Sequence, residues 1–143
     1  MPSDIFRIIY CSRNAIEPDD RDRSITQILA AARRNNAEVG LTGALLYNEG
    51  TFVQALEGDF EAVQSTFERI LGDPRHQEIV VLQAETVGAP IFTEWTMAFA
   101  EPEDKQAAKS LLSQAMAHPG DRVAAQVLDL LDRVVRHEAE PIF

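Results

Sequence analysis

The stretch LLYNEGTFVQALEG, residues 45–58, leaves the chain least freedom. An apolar run reaches the polar turn Asn48-Glu49-Gly50 and resumes as Thr51, Phe52, Val53, Gln54, Ala55 and Leu56, the pattern of a β-hairpin pairing roughly 40–47 with 51–57. The second strand carries an oddity. Gln54 shares a face with Phe52 and Leu56, and a buried amide costs about 1 to 3 kcal/mol for each group left unpaired. It must therefore find hydrogen bonds on an otherwise apolar face.

The flanking segments give this hairpin a context. Residues 5–11, IFRIIYC, read as a strand that runs into the polar, acidic loop SRNAIEPDDRDR. Ser24 offers a cap for a helix over 25–36, where Ile25, Ile28, Leu29 and Ala32 recur at helical spacing and Arg33 and Arg34 occupy the last turn. After Gly58, Phe60, Val63, Phe67, Ile70 and Leu71 define a second amphipathic helix, stopped by Gly72-Asp73-Pro74. Strands are predicted at 78–88 and 92–99. The order β-α-β-β-α-β plus one strand predicts an α+β, ferredoxin-like fold: a five-stranded mixed sheet with two helices on one face. Two further helices, 104–118 and 121–137, are separated by His118-Pro119-Gly120. Their stripe of Val123, Val127, Leu130, Leu131 and Val134 needs cover, and Ile9, Val53 and Ala55 offer it on the opposite face of the sheet.

Strand parity then selects candidates for chemistry. Phe6, Ile8 and Tyr10, Phe52, Gln54 and Leu56, and Trp95, Met97 and Phe99 form three alternating sets that aim Tyr10, Gln54 and Met97 at the first two helices. On residues alone, the Tyr10 hydroxyl and a backbone carbonyl suffice to satisfy Gln54. Cys11 points the other way and reads as packing. Gly40-Leu41-Thr42-Gly43 is too short for a phosphate loop and marks close strand approach. His76, His118 and His137 lack metal-site spacing and read as surface residues. Asn35-Asn36, directly after Arg33-Arg34, is more than a cap requires and points to donors aimed at a polar ligand.

Charge and cysteine usage exclude other classes. A formal charge of -10 and a pI near 4.6 argue against binding duplex nucleic acid. A single cysteine forms no internal disulfide, and neither a signal core nor a membrane-length apolar run is visible, so a cytoplasmic protein without membrane contact is expected.

Taken in order, IIYCS at 8–12, RNN at 34–36, GLTGALLY at 40–47, FVQALEG at 52–58, Arg69, DPRHQ at 73–77 and FTEWTM at 92–97 resemble the BLUF family, blue-light sensors using FAD. The resemblance spans about residues 5–99. It implies FAD held non-covalently between the first two helices, its ring edge toward the sheet. Tyr10 and Gln54 would be the photoactive pair: light-driven electron and proton transfer from the tyrosine lets the Gln54 amide rotate or tautomerise. Asn36 would donate to a ring carbonyl, with Asn35 beside it. Ile28 would line the ring, while Arg69, Asp73 and His76 would contact its pyrimidine side or the ribityl-phosphate arm. Trp95 and Met97 would relay the signal.

The resemblance further implies a flavin-binding unit over 1–103 and a helical cap over 104–143. Such a chain reads as a stand-alone receptor, not an enzyme, that signals by conformational change to a protein partner in trans and forms a homo-oligomer. Arg33, Arg34, Arg69, Arg75 and His76 gather positive charge for the anionic arm, and the acidic loop 16–23 would shape the adenine end. Two other readings remain: a small acylphosphatase-like enzyme using Arg13 and Asn14, and a cofactor-free dimeric interaction module.

Overall fold

A two-residue turn, Glu49-Gly50, closes the hairpin, and both residues take positive φ (45° and 87°), which fits the right-handed twist of the strands it joins. In the computed structural model, which describes residues 4–14, 20–74 and 76–138, the hairpin strands are β2 (Thr42–Asn48) and β3 (Thr51–Gly58). Before them come β1 (Ile5–Asn14) and α1 (Arg21–Val39). After them come α2 (Phe60–Leu71), β4 (His76–Val87), β5 (Ala98–Ala100), α3 (Lys105–Ala117) and α4 (Asp121–Glu138). The sheet order is β4-β1-β3-β2-β5, antiparallel throughout except for β2 with β5. This is the predicted five-stranded mixed sheet. Residues 16–19 of the acidic loop and Arg75 lie outside the described residues.

Alternation along the central strands separates two cores. Ile8, Phe52 and Leu56 pack with Ile25, Ile28, Leu29 and Val63 of α1 and α2. Ile9, Cys11, Val53 and Ala55 pack with Val123, Val127, Leu130, Leu131 and Val134, so the tail helices cover the far face as their stripe demands. Burial pushes the Cys11 thiol up to about 12, which keeps it protonated and suits it to packing. Gly43 serves close approach: a Cβ there would run into the Ala55 carbonyl oxygen and lie 3.3 Å from Met97 Cε.

Several boundaries differ from the sequence expectation. Helix α1 starts ahead of Ser24, with Asp20 at the cap and Asp22 in the first turn, where the helix dipole favours acids. It also continues past Arg33 and Arg34 to Val39, and stops only where Gly40 adopts the left-handed conformation (φ 76°). Phe60 and Leu71 are about half exposed at the two ends of α2, though Phe60 still stacks edge-on against Phe6 at 4.9 Å. The largest difference is the last strand. Only 98–100 joins the sheet, and Trp95 and Met97 lie in the segment before it. Parity therefore fails there: Trp95 packs with the tail-helix core, whereas Met97 belongs to the core under α1 and α2.

Candidate functional site

A cleft between α1 and α2 opens over the sheet face that carries Gln54. Helix α1 supplies Ile28, Ala31, Ala32, Asn35 and Asn36, one face at three- and four-residue spacing. Helix α2 supplies Thr66, Arg69 and Ile70, and the turn into β4 supplies Asp73 and His76. The empty volume between its walls is about 630 Å³, part of it open to solvent.

At its floor the register of β1 and β3 places Tyr10 directly opposite Gln54. Tyr10 is fully buried, and its hydroxyl donates to Gln54 Oε1. Burial raises the phenol's pKa above its ordinary value, and the negative charge of Asp73 adds to this, so Tyr10 keeps its proton and remains a donor. Gln54 is 4 % exposed. Among the described residues its Nε2 reaches only the thioether of Met97, at 3.8 Å, and sulfur is a weak acceptor. The amide thus holds a firm bond at its oxygen and a weak one at its nitrogen, beside the cleft.

The polar groups of the walls are held by one another. Asn35 Nδ2 donates to Thr66 Oγ1 (2.9 Å) and to Asn36 Oδ1 (3.3 Å), while Arg69 Nη1 donates to Asn35 Oδ1 (2.5 Å). Asn36, completely buried, donates from Nδ2 to the Thr96 carbonyl at 2.6 Å, and an amide NH2 has a second hydrogen to offer. His76 is buried rather than a surface residue: Nδ1 lies 2.9 Å from Ser12 Oγ, and the ring sits 5.1 Å from Phe52 and 6.1 Å from Tyr10. It is in the wall because β4 begins there.

The structure therefore brings Tyr10, Ile28, Asn35, Asn36, Gln54, Arg69, Asp73 and His76 together, with Met97 behind Gln54. Trp95 is not among them and faces the tail helices. Arg33 turns away from the cleft to donate to the Met97 carbonyl at 3.0 Å, so the expected cationic cluster is reduced among the described residues. Sequence reasoning missed Ala31, Ala32, Thr66 and Ile70. The first two follow from Ile28 by helical spacing, and Thr66 is a polar residue on the buried face of α2. Arg13, a candidate for anion chemistry, is paired with Glu78 at 2.6 Å on the surface. Among the described residues no group of three or more His, Cys, Asp or Glu is placed to hold a metal ion. No described helix is long and apolar enough to cross a membrane.

A flat heteroaromatic ring with one apolar and one polar edge fits this donor set. Ile28, Ala31, Ala32 and Ile70 offer apolar contact at low bulk, and Asn35, Asn36, Gln54 and Arg69 offer donors along one side. The comparisons with known proteins agree. The chain is 36 % identical over 80 residues to the photoactivated adenylate cyclase subunit beta of Euglena longa, and 36 % identical over 85 residues to the blue light- and temperature-regulated antirepressor BluF of Escherichia coli K12. These stretches cover 55 and 59 % of this chain but only 9 and 21 % of those proteins. Among solved structures, the dark state of BlrB, a BLUF protein, superposes with a TM-score of 0.69 at 34 % identity, covering 88 % of this chain and 99 % of that one. The ground state of BlsA gives 0.77 at 25 %, covering 90 and 87 %. The family model for BLUF, sensors of blue-light using FAD, matches residues 5–98, a span that runs from β1 to the start of β5 and contains the whole cleft. This chain belongs to the BLUF family, whose domains bind FAD and sense blue light.

Proposed function

We propose that the cleft residues hold FAD and that Tyr10 and Gln54 together form the light switch. FAD, when bound, supplies the blue-absorbing ring and an excited state that draws an electron. Ile28, Ala31 and Ala32 pack on the ring. Asn36 and Asn35 donate to its polar edge, with Arg69 ordering Asn35, and Asp73 and His76 close the far wall. One observation carries the reading: a buried amide whose oxygen is fixed by a tyrosine proton and whose nitrogen, among the described residues, has a thioether for its partner. With FAD bound, an electron drawn from Tyr10 would let the phenol proton pass to Gln54 Oε1, the atom it already bonds, while a proton from Nε2 passes on toward the ring, and the bond that orients Gln54 would be lost. The amide then turns or tautomerises, since its two ends are nearly the same size and exchanging them rewires several hydrogen bonds at little steric cost.

Residues 1–103 act in this reading as the sensor and 104–143 as a cap that carries the output, with Met97 and Trp95 between them. One relative named above is a photoactivated adenylate cyclase subunit and the other a blue light-regulated antirepressor, which supports signalling by this chain to an effector protein. A cytoplasmic location fits the single buried cysteine. Purified protein loaded with FAD tests the proposal. Blue light is expected to shift the flavin absorption reversibly to the red, and failure to retain FAD, or an unchanged spectrum, would contradict it.

Arg69 gives a second check. Because it donates to Asn35 at 2.5 Å, Arg69→Ala is expected to weaken FAD binding about tenfold, roughly 1.4 kcal/mol, and riboflavin to a similar degree. Fluorescence titration with both ligands reads this. A loss confined to FAD would place Arg69 on the phosphates instead.

A further inference from the structure

The segment 91–97 is tied to the sensor by side chains and by one backbone bond, from the Gly43 N–H to the Trp95 carbonyl at 3.2 Å, rather than by a ladder. Glu57, three residues beyond Gln54 on β3 and wholly buried, accepts from the N–H groups of Ile91 and Phe92 (both 2.8 Å) and pairs with Arg7 at 2.8 Å. Asn36 and Arg33 of α1 hold the carbonyls of Thr96 and Met97. The same segment is gripped from the other side by α4. Arg136 donates from Nη2 to the Ile91 carbonyl (2.8 Å) and from Nη1 to the Glu94 carboxylate (3.0 Å), and its guanidinium carbon lies 5.5 Å from the centre of the Trp95 ring. Its Nε donates to Asp132 at 2.6 Å, one turn back on the same helix, which fixes the fork in place.

We infer that Arg136 is the positioning residue through which movement of 91–97 reaches the tail helices. The inference rests on the light-sensor reading above and deepens it by naming the output contact. Ile91 is the junction: its N–H binds β3 through Glu57 and its carbonyl binds α4 through Arg136. The apolar contacts between α4 and the sheet have no preferred direction, so small displacements slide past them. Planar, bidentate bonds and a cation over an aromatic ring do not slide; they hold or break.

The test uses the full chain loaded with FAD and compares wild type with Arg136→Gln, which removes charge and fork, and Arg136→Lys, which keeps the charge alone. The side chain is 40 % exposed, so neither change opens the core. Absorption and amide hydrogen exchange are recorded in the dark and under blue light. In wild type, illumination is expected to alter exchange across 121–138. In Arg136→Gln that light-induced change should fall at least about threefold while the red shift stays normal, and Arg136→Lys should restore less than half of it. A wild-type-sized response in α4 of Arg136→Gln would overturn the inference, as would a red-shifting wild type with no response in α4. Absence of the red shift in wild type would sink the light-sensor reading and this inference with it.

Discussion

Tyr10→Phe is expected to yield a folded, yellow protein that no longer forms the red-shifted state. The substitution keeps the ring volume, so the contact with Phe67 at 5.4 Å survives. What disappears is the single proton that fixes Gln54 Oε1. The stability loss should be about 1 to 3 kcal/mol, the usual range for one buried hydrogen bond whose partner is left unmet. The loss of photoproduct should be at least about a hundredfold, since the phenol is the source of both the donor and the withdrawn proton. Dark and lit absorption spectra measure it, and a normal photocycle in Tyr10→Phe would refute the role given to the hydroxyl.

Replacement of Gln54 should show its effect before any light is applied. In Gln54→Leu the cleft loses the amide that separates Tyr10 from the ligand space, and in Gln54→Glu the donor toward Met97 is replaced by an acceptor. Both variants are expected to bind FAD, because Asn35, Asn36 and Arg69 are intact, yet to have a displaced dark spectrum and almost no light-induced shift. Should dark and lit spectra both match wild type, Gln54 is only a core amide satisfied by its tyrosine.

Much of this site was legible because strands alternate with a period of two. That rule alone put Tyr10 and Gln54 on one face, Cys11 and Val53 on the other, and the tail stripe against Ile9 and Ala55. The same rule failed at 92–99. Of its β-rich pattern only 98–99 enters a ladder; before that, Glu57, Asn36, Arg33 and Arg136 supply most of the backbone's partners from the side, and none of those long-range bonds leaves a local signature. Hence Trp95 and Met97 ended on opposite faces of the sheet. His76 misled for a related reason: its burial depends on Ser12 of a strand far away in sequence. Helix α1 is longer than expected at both ends: Ser24 reads as a cap although the helix begins after Asp20, and the pattern fades at Asn35-Asn36 although Gly40 supplies the ending.

The central claim is that the Gln54 side-chain amide changes its bonding when light is absorbed. A light-minus-dark vibrational difference spectrum of the FAD-loaded protein, recorded with and without nitrogen-15 in the glutamine side chains, addresses it directly. Our account predicts label-sensitive amide bands in the wild type that vanish in Gln54→Leu; a wild-type difference spectrum containing flavin bands and no label-sensitive band would contradict it.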